Sequence, residues 1–251
     1  MVSSVKDIIL NQLAQKKKLL AILIDPDKAD ENYIKRICHE AEEIPAALFL
    51  IGGSLLTSGD LDKTIQLIKK YSQLPRIIFP GSSNQISPHA DAILFLSLLS
   101  GRNPEMLIGQ QVIAAPYIKK AKIEPISTAY LLIDSGAATT ASYMSNSNPI
   151  PADKGEIAAS TALAGEYMGM DIIYLDGGSG AKNPIAPSTI ALVKETCSKP
   201  LFIGGGINSA SKLKAAFDAG ADVAVIGNAF ENEDQIEFAS QVRKIMNSFN
   251  A

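Results

Sequence analysis

One recurrence constrains this chain more than any other feature. Short runs of apolar and β-branched residues return eight times, at Leu19–Ile24, Ala46–Ile51, Arg76–Phe79, Ala92–Leu96, Thr128–Ile133, Asp171–Leu175, Pro200–Ile203 and Asp222–Ile226. The runs are continuously apolar rather than alternating, the pattern of strands buried on both faces in a parallel sheet. Helical spacing fills most of the gaps, at Glu31–Glu43, Leu61–Tyr71, Gly155–Met168, Pro187–Cys197 and Ser209–Ala219, with a last helix over Asp234–Phe249. Strands alternating with helices imply right-handed βαβ units. Eight strands predict a closed (β/α)8 TIM barrel, and the absence of any linker-like stretch makes it a single domain over 1–251. An open Rossmann-like sheet is the alternative, but no GxGxxG follows the first strand.

One unit breaks the pattern. Only Pro80 to Asp91 separates the third and fourth strands, and that stretch is rich in turn residues. It is short for a crossover helix, so an extended loop is expected in place of the third helix. A second irregular stretch, Ala137 to Asp153, reads as a flap or rim after the fifth strand.

Composition bears on partners. A net charge of -3 and a pI near 5.5 argue against nucleic acid. The two cysteines, Cys38 and Cys197, lie in different helices without metal-type spacing, which fits a reducing cytoplasm. The N-terminal stretch Met1–Lys18 reads as an amphipathic helix without an apolar signal core. The longest apolar run, Ala92 to Leu99, is too short for a bilayer and contains Ser97. A cytoplasmic homo-oligomer is expected, with peripheral membrane contact open.

Polar residues concentrate where strands end. Asp25-Pro26-Asp27-Lys28 follows the first, Gly52-Gly53-Ser54 the second and Asp176-Gly177-Gly178-Ser179-Gly180 the sixth. Gly204-Gly205-Gly206 follows the seventh and Gly227-Asn228 the eighth. In a barrel these ends share the C-terminal face, where active sites are built. Glycine turns after the last two strands, each leading into a helix, let backbone N–H groups approach an anion, and a phosphate is the expected ligand. The plainer role for a lone Gly-Gly-Gly is a tight turn. Asp25 with Ser54 suits magnesium, which takes few carboxylates and keeps water and phosphate oxygens. Asp27 fits capping or local structure better. Asp176 can act as a hydrogen-bond acceptor or general base at the mouth, or belong to an Asp-Gly turn.

Taken together, these motifs resemble the geranylgeranylglyceryl phosphate synthase family of archaeal-type ether-lipid prenyltransferases and their bacterial relatives. The matching pieces are Leu23 to Lys28, Ile51 to Ser54, Phe79-Pro80-Gly81, Tyr174 to Ala181, Gly204 to Ile207 and Gly227-Asn228. The resemblance implies a modified barrel lacking a regular third helix. It implies magnesium-dependent transfer of a geranylgeranyl group from its diphosphate to sn-glycerol 1-phosphate, releasing diphosphate. Asp25 and Ser54 are the implied metal ligands, and Asp176 and Asp25 the implied catalytic residues. The implied glycerol-phosphate site comprises Tyr174, Leu175, Asp176, Gly177, Gly178, Ser179, Gly180, Gly205, Gly206, Gly227 and Asn228. Two positions depart from the family pattern. Leu23 stands where one branch carries lysine, and Asp176 where glutamate is common. An apolar trough for the isoprenoid is expected near Phe95, Leu98, Leu99 and Tyr143, with core packing the simpler role for Phe95. A longer prenyl chain, or a sugar-phosphate isomerase or epimerase on the same barrel, are the alternative readings.

Overall fold

The computed structural model describes residues 4–231 and 236–250. Eight parallel strands close into a barrel in sequence order, β1 pairing with β8. They are β1 Leu19–Ile24, β2 Leu48–Ile51, β3 Arg76–Ile78, β4 Ala92–Leu98, β5 Glu124–Leu132, β6 Ile172–Asp176, β7 Leu201–Gly204 and β8 Val223–Ile226. The continuous apolar runs follow from closure, because alternate residues enter two separate cores. Leu19 and Ala21 of β1, Tyr174 of β6 and Phe202 of β7 fill the barrel interior. Leu20, Ile22 and Ile24 of β1, with Leu175 of β6, face the helical layer outside.

Helix α1 (Val5–Ala14) plugs the N-terminal end, inserting Val5 and Ile9 into the interior cluster. The Glu124 carboxylate at the start of β5 accepts the Val5 backbone N–H at 2.6 Å, satisfying a free donor of that helix end. Around the barrel lie α2 (Glu31–Glu43), α3 (Leu61–Tyr71), α4 (Gln110–Ala121), α5 (Thr140–Met144), α6 (Gly155–Tyr167), α7 (Pro187–Thr196), α8 (Ala210–Asp218) and α9 (Ile236–Asn250). The expected start of the last helix, Asp234, lies outside the described residues, as do Met1 to Ser3. Among the described residues, no helix is long and apolar enough to cross a membrane.

Residues 80–91 carry no helix, so β3 connects to β4 through the expected loop. Two segments hold more order than their sequence suggests. A π-helical turn, Glu105–Gly109, runs into α4. Gly109 and Pro116 obscure the helical period there. The stretch after β5 contains α5, started by a reciprocal capping box between Thr139 and Ser142, and Ile150 bridges to Ile133.

Candidate active site

The strand ends converge on a cavity of about 250 Å³ at the C-terminal mouth. Its wall includes Asp25, Ser54, Asp176, Ser179, Gly227 and Asn228. It continues into an apolar arm beside β4 and α4, formed by Leu94, Leu96, Leu98, Met106 and Ile118. Leu98 lines this arm, and Phe95 both borders the cavity and packs against the outer core, the simpler role expected of it. Leu99 instead joins the outer core, and Tyr143 stands 84% exposed on the rim.

The loops after β1 and β2 form one wall. Asp25 caps the short turn Pro26–Lys28, its Oδ1 accepting the Asp27 backbone N–H at 3.0 Å. Burial raises the Asp25 carboxyl above the ordinary range, against the opposing pull of that hydrogen bond and of Lys28. Gly53 packs directly on it, since a Cβ there would lie 3.3 Å from Asp25 Oδ1. Asp27 turns away from the cavity. Its carboxylate accepts backbone N–H groups from Thr57, Ser58 and Gly59 and the Thr57 hydroxyl, which pulls its pKa down to about 2. Lys28 binds both Glu231 oxygens at 2.9 Å, tying the β1 loop to the turn after β8.

The helix-free loop after β3 supports this wall through Gln85, which sequence reading did not single out. Gln85 Oε1 accepts the Gly81 N–H at 3.0 Å and Nε2 donates to the Gly53 carbonyl at 3.1 Å. The loops meet so closely that a Cβ on Gly81 would fall 2.2 Å from that carbonyl oxygen. Gln85→Leu leaves both backbone groups unpaired and is expected to cost about 1–3 kcal/mol in urea unfolding. A loss below about 0.5 kcal/mol would mean that water replaces the amide.

The turns after the last three strands continue round the mouth, the one after β8 lying next to the β1 loop. Gly205 and Gly206 hold φ of 85° and 72°. A Cβ on Gly205 would strike the Gly177 and Gly178 backbone, and one on Gly206 the Asn183 backbone, within 2.9 Å. The turns after β6 and β7 therefore touch, backbone against backbone. Among the described residues, the N–H groups of Gly205, Gly206, Ile207 and Asn228 have no hydrogen-bond acceptor. Unpaired donors beside helix starts are of the kind that can hold an anion.

Asp176 closes the centre and is only 7% exposed. Its Oδ1 accepts the Gly178 N–H at 2.7 Å and its Oδ2 accepts the Tyr130 hydroxyl at 2.6 Å. Burial raises its carboxyl, and the two hydrogen bonds oppose that rise. Tyr174 is buried in the barrel interior, stacked on Phe79 with ring centroids 5.1 Å apart. Leu175 faces the helical layer, and neither it nor Tyr174 is among the residues that line the cavity. Tyr130 was also invisible as a site residue in the sequence. Its one signal is a hydroxyl inside an otherwise apolar strand, in register with Tyr174.

Residues 11–248 match the PcrB family. The chain belongs to that family. It is 46% identical to the geranylgeranylglyceryl phosphate synthase of Chitinophaga pinensis, covering 90% of both chains. It is 44% identical to that of Spirosoma linguale, covering 93% of both. The crystal structure of (S)-3-O-geranylgeranylglyceryl phosphate synthase from Thermoplasma acidophilum, in complex with its substrate sn-glycerol-1-phosphate, superposes with a TM-score of 0.91 at 34% identity. That comparison covers 98% of this chain and all of the other. The PcrB-family relatives are prenyltransferases, and the barrel with its missing third helix agrees with the expectation drawn from the motifs.

Proposed function

We propose that this PcrB-family protein transfers a geranylgeranyl group from its diphosphate to the 3-hydroxyl of sn-glycerol 1-phosphate. The observation that carries this reading is the two-sided cavity. Its lining joins Asp25, Ser54, Asp176, Ser179 and Asn228 to an apolar arm of Leu94, Leu96, Leu98, Met106 and Ile118, while the Gly205 and Gly206 N–H groups, unpaired among the described residues, lie in the neighbouring turn after β7. A sugar-phosphate isomerase has no use for an apolar arm.

The phosphate of the acceptor would rest on the Gly205, Gly206 and Asn228 N–H groups, with the Ser179 hydroxyl beside it. That leaves the free hydroxyl near Asp176. The isoprenoid would lie along Leu94, Leu96 and Met106, excluding water from the reacting carbon. The acceptor oxygen attacks the allylic carbon, a new C–O bond forms, and the bond to diphosphate breaks with its electron pair leaving on diphosphate. Asp176 orients the hydroxyl and takes its proton, and burial makes it a stronger acceptor than an exposed carboxylate.

Asp25 and Ser54 fit magnesium. Their loops share one wall, and among the described residues no cluster of three or more His, Cys, Asp or Glu offers a denser site. One carboxylate and one hydroxyl leave most positions to water and diphosphate oxygens, as magnesium prefers. Bound there, the ion would supply charge neutralisation on the departing diphosphate. Asp25 would also hold that group against the β1 wall. Leu23 lies under Gly227, so no cation extends from position 23 to help.

The test is incubation with labelled glycerol 1-phosphate, a panel of prenyl diphosphates and magnesium. An ether-linked product, formed fastest with geranylgeranyl diphosphate, is expected. A preference for a longer donor would revise the chain length. No ether product with any donor overturns the transferase reading.

A further inference from the structure

We infer that Tyr130 is a positioning residue whose hydroxyl fixes the Asp176 carboxylate toward the acceptor hydroxyl. The inference rests on the prenyl-transfer reading above. Asp176 sits on a short stem, and without restraint its carboxylate would rotate. Both oxygens are instead held, Oδ1 by the Gly178 N–H of its own turn and Oδ2 by Tyr130 across the sheet. Each oxygen keeps a further lone pair for a substrate hydroxyl.

Tyr130 is itself immobilised. The residue is 8% exposed, and its ring meets Tyr174 edge-on with centroids 5.5 Å apart, and Phe79 edge-on at 5.7 Å. In the β5–β6 register Tyr130 stands opposite Tyr174 and Leu132 opposite Asp176. The Tyr130 hydroxyl thus reaches diagonally to the carboxylate two residues further along β6. Both residues lie on the cavity wall rather than beneath it, which separates this pair from one that only satisfies buried polar groups.

Among the described residues, the titratable groups facing Asp176 are Tyr130 from β5 and Tyr174 from its own strand. The neighbouring β7 segment, Leu201–Gly204, carries none. The hydroxyl of Tyr130 is therefore the side-chain group that stabilises the ionised carboxylate against burial.

Tyr130→Phe keeps the ring packing and removes only the donor. The expected result is a kcat lowered about tenfold to a hundredfold, the worth of a hydrogen bond to a charged group. KM for glycerol 1-phosphate should stay within about threefold, because the phosphate cradle is untouched. The acid limb of the kcat profile should move to higher pH, since the loss leaves burial unopposed on that side. A merely structural role would lower Tm without moving that limb. Wild-type kcat and an unmoved limb in Tyr130→Phe, with the wild type making ether product, overturn the inference alone. A turnover-independent readout is the carbon-13 carboxyl titration of Asp176, assigned by its disappearance in Asp176→Asn. Its midpoint should rise in Tyr130→Phe and fall when 3-fluorotyrosine, a stronger donor of the same shape, occupies position 130. An unmoved midpoint in both overturns the inference whether or not the wild type transfers a prenyl group, and the fluorinated protein carries the test if Tyr130→Phe does not fold.

Discussion

Asp176→Asn is expected to lower kcat by about 10²–10⁴-fold, the range lost with a general base. The protein's stability should nevertheless change little, because relief of the buried charge is offset by the Gly178 N–H left unpaired. The sign of the charge effect follows from burial. Asp176 is pushed above the ordinary carboxylate range in the folded state, so its ionised form is favoured less in the fold than in the unfolded chain. Its contribution to stability is fully present below the unfolded pKa and is lost as pH rises through the folded one. At neutral pH the charge therefore costs stability, and a neutral isostere removes that cost. Asparagine can still accept the Tyr130 hydroxyl through its one carbonyl oxygen, although its amide meets the Gly178 N–H as donor against donor. The checks are kcat at saturating substrates and a thermal melt at two pH values. Loss of activity together with a Tm drop of more than several degrees at pH 7 would mark Asp176 as structural instead.

That division between activity and stability bears on what the sequence could disclose. The barrel was legible because closure writes itself into composition. Every strand must be apolar on both sides, and Leu19 to Ile24 shows this in six consecutive residues split between two cores. Strand ends were legible as well, because Asp25, Ser54, Asp176 and the paired glycines interrupt apolar runs at the one face where barrels place chemistry. What escaped were residues whose partners are distant in sequence. Tyr130 resembles any strand aromatic until the register sets it diagonal to Asp176, 46 positions away. Gln85 resembles loop filler until the loop folds back on Gly53. Helix α4 was obscured because Pro116 lies inside it and a π-helical turn precedes it, so the apolar spacing follows no single period. Asp27 is the converse case. Capping or local structure is the reading its position favours over a second metal ligand; Asp30 is what caps α2, and the Asp27 carboxylate instead braces the Thr57–Gly59 backbone.

Asp25→Asn should separate charge from geometry at the other half of the site. Asparagine is as good a helix N-cap as aspartate, so the turn Pro26–Lys28 and its hydrogen bond to the Asp27 N–H should survive. The contact with Gly53 depends on shape and should also survive. What disappears is the negative charge that a hard cation requires of its ligand. Turnover at limiting magnesium is expected to fall by at least about a hundredfold, the upper end of losses seen when a metal's supporting groups are removed. Raising magnesium should recover part of the loss, because Ser54 and the diphosphate oxygens still offer ligands. KM for glycerol 1-phosphate should change little, since the proposed cradle consists of the backbone N–H groups of Gly205, Gly206 and Asn228, to which Asp25 makes no hydrogen bond. The decisive measurement is kcat as a function of magnesium for both proteins. A pair of coincident curves would remove Asp25 from the metal site. A loss that no magnesium concentration relieves, with glycerol-phosphate binding intact, would instead assign Asp25 to orienting the prenyl diphosphate directly.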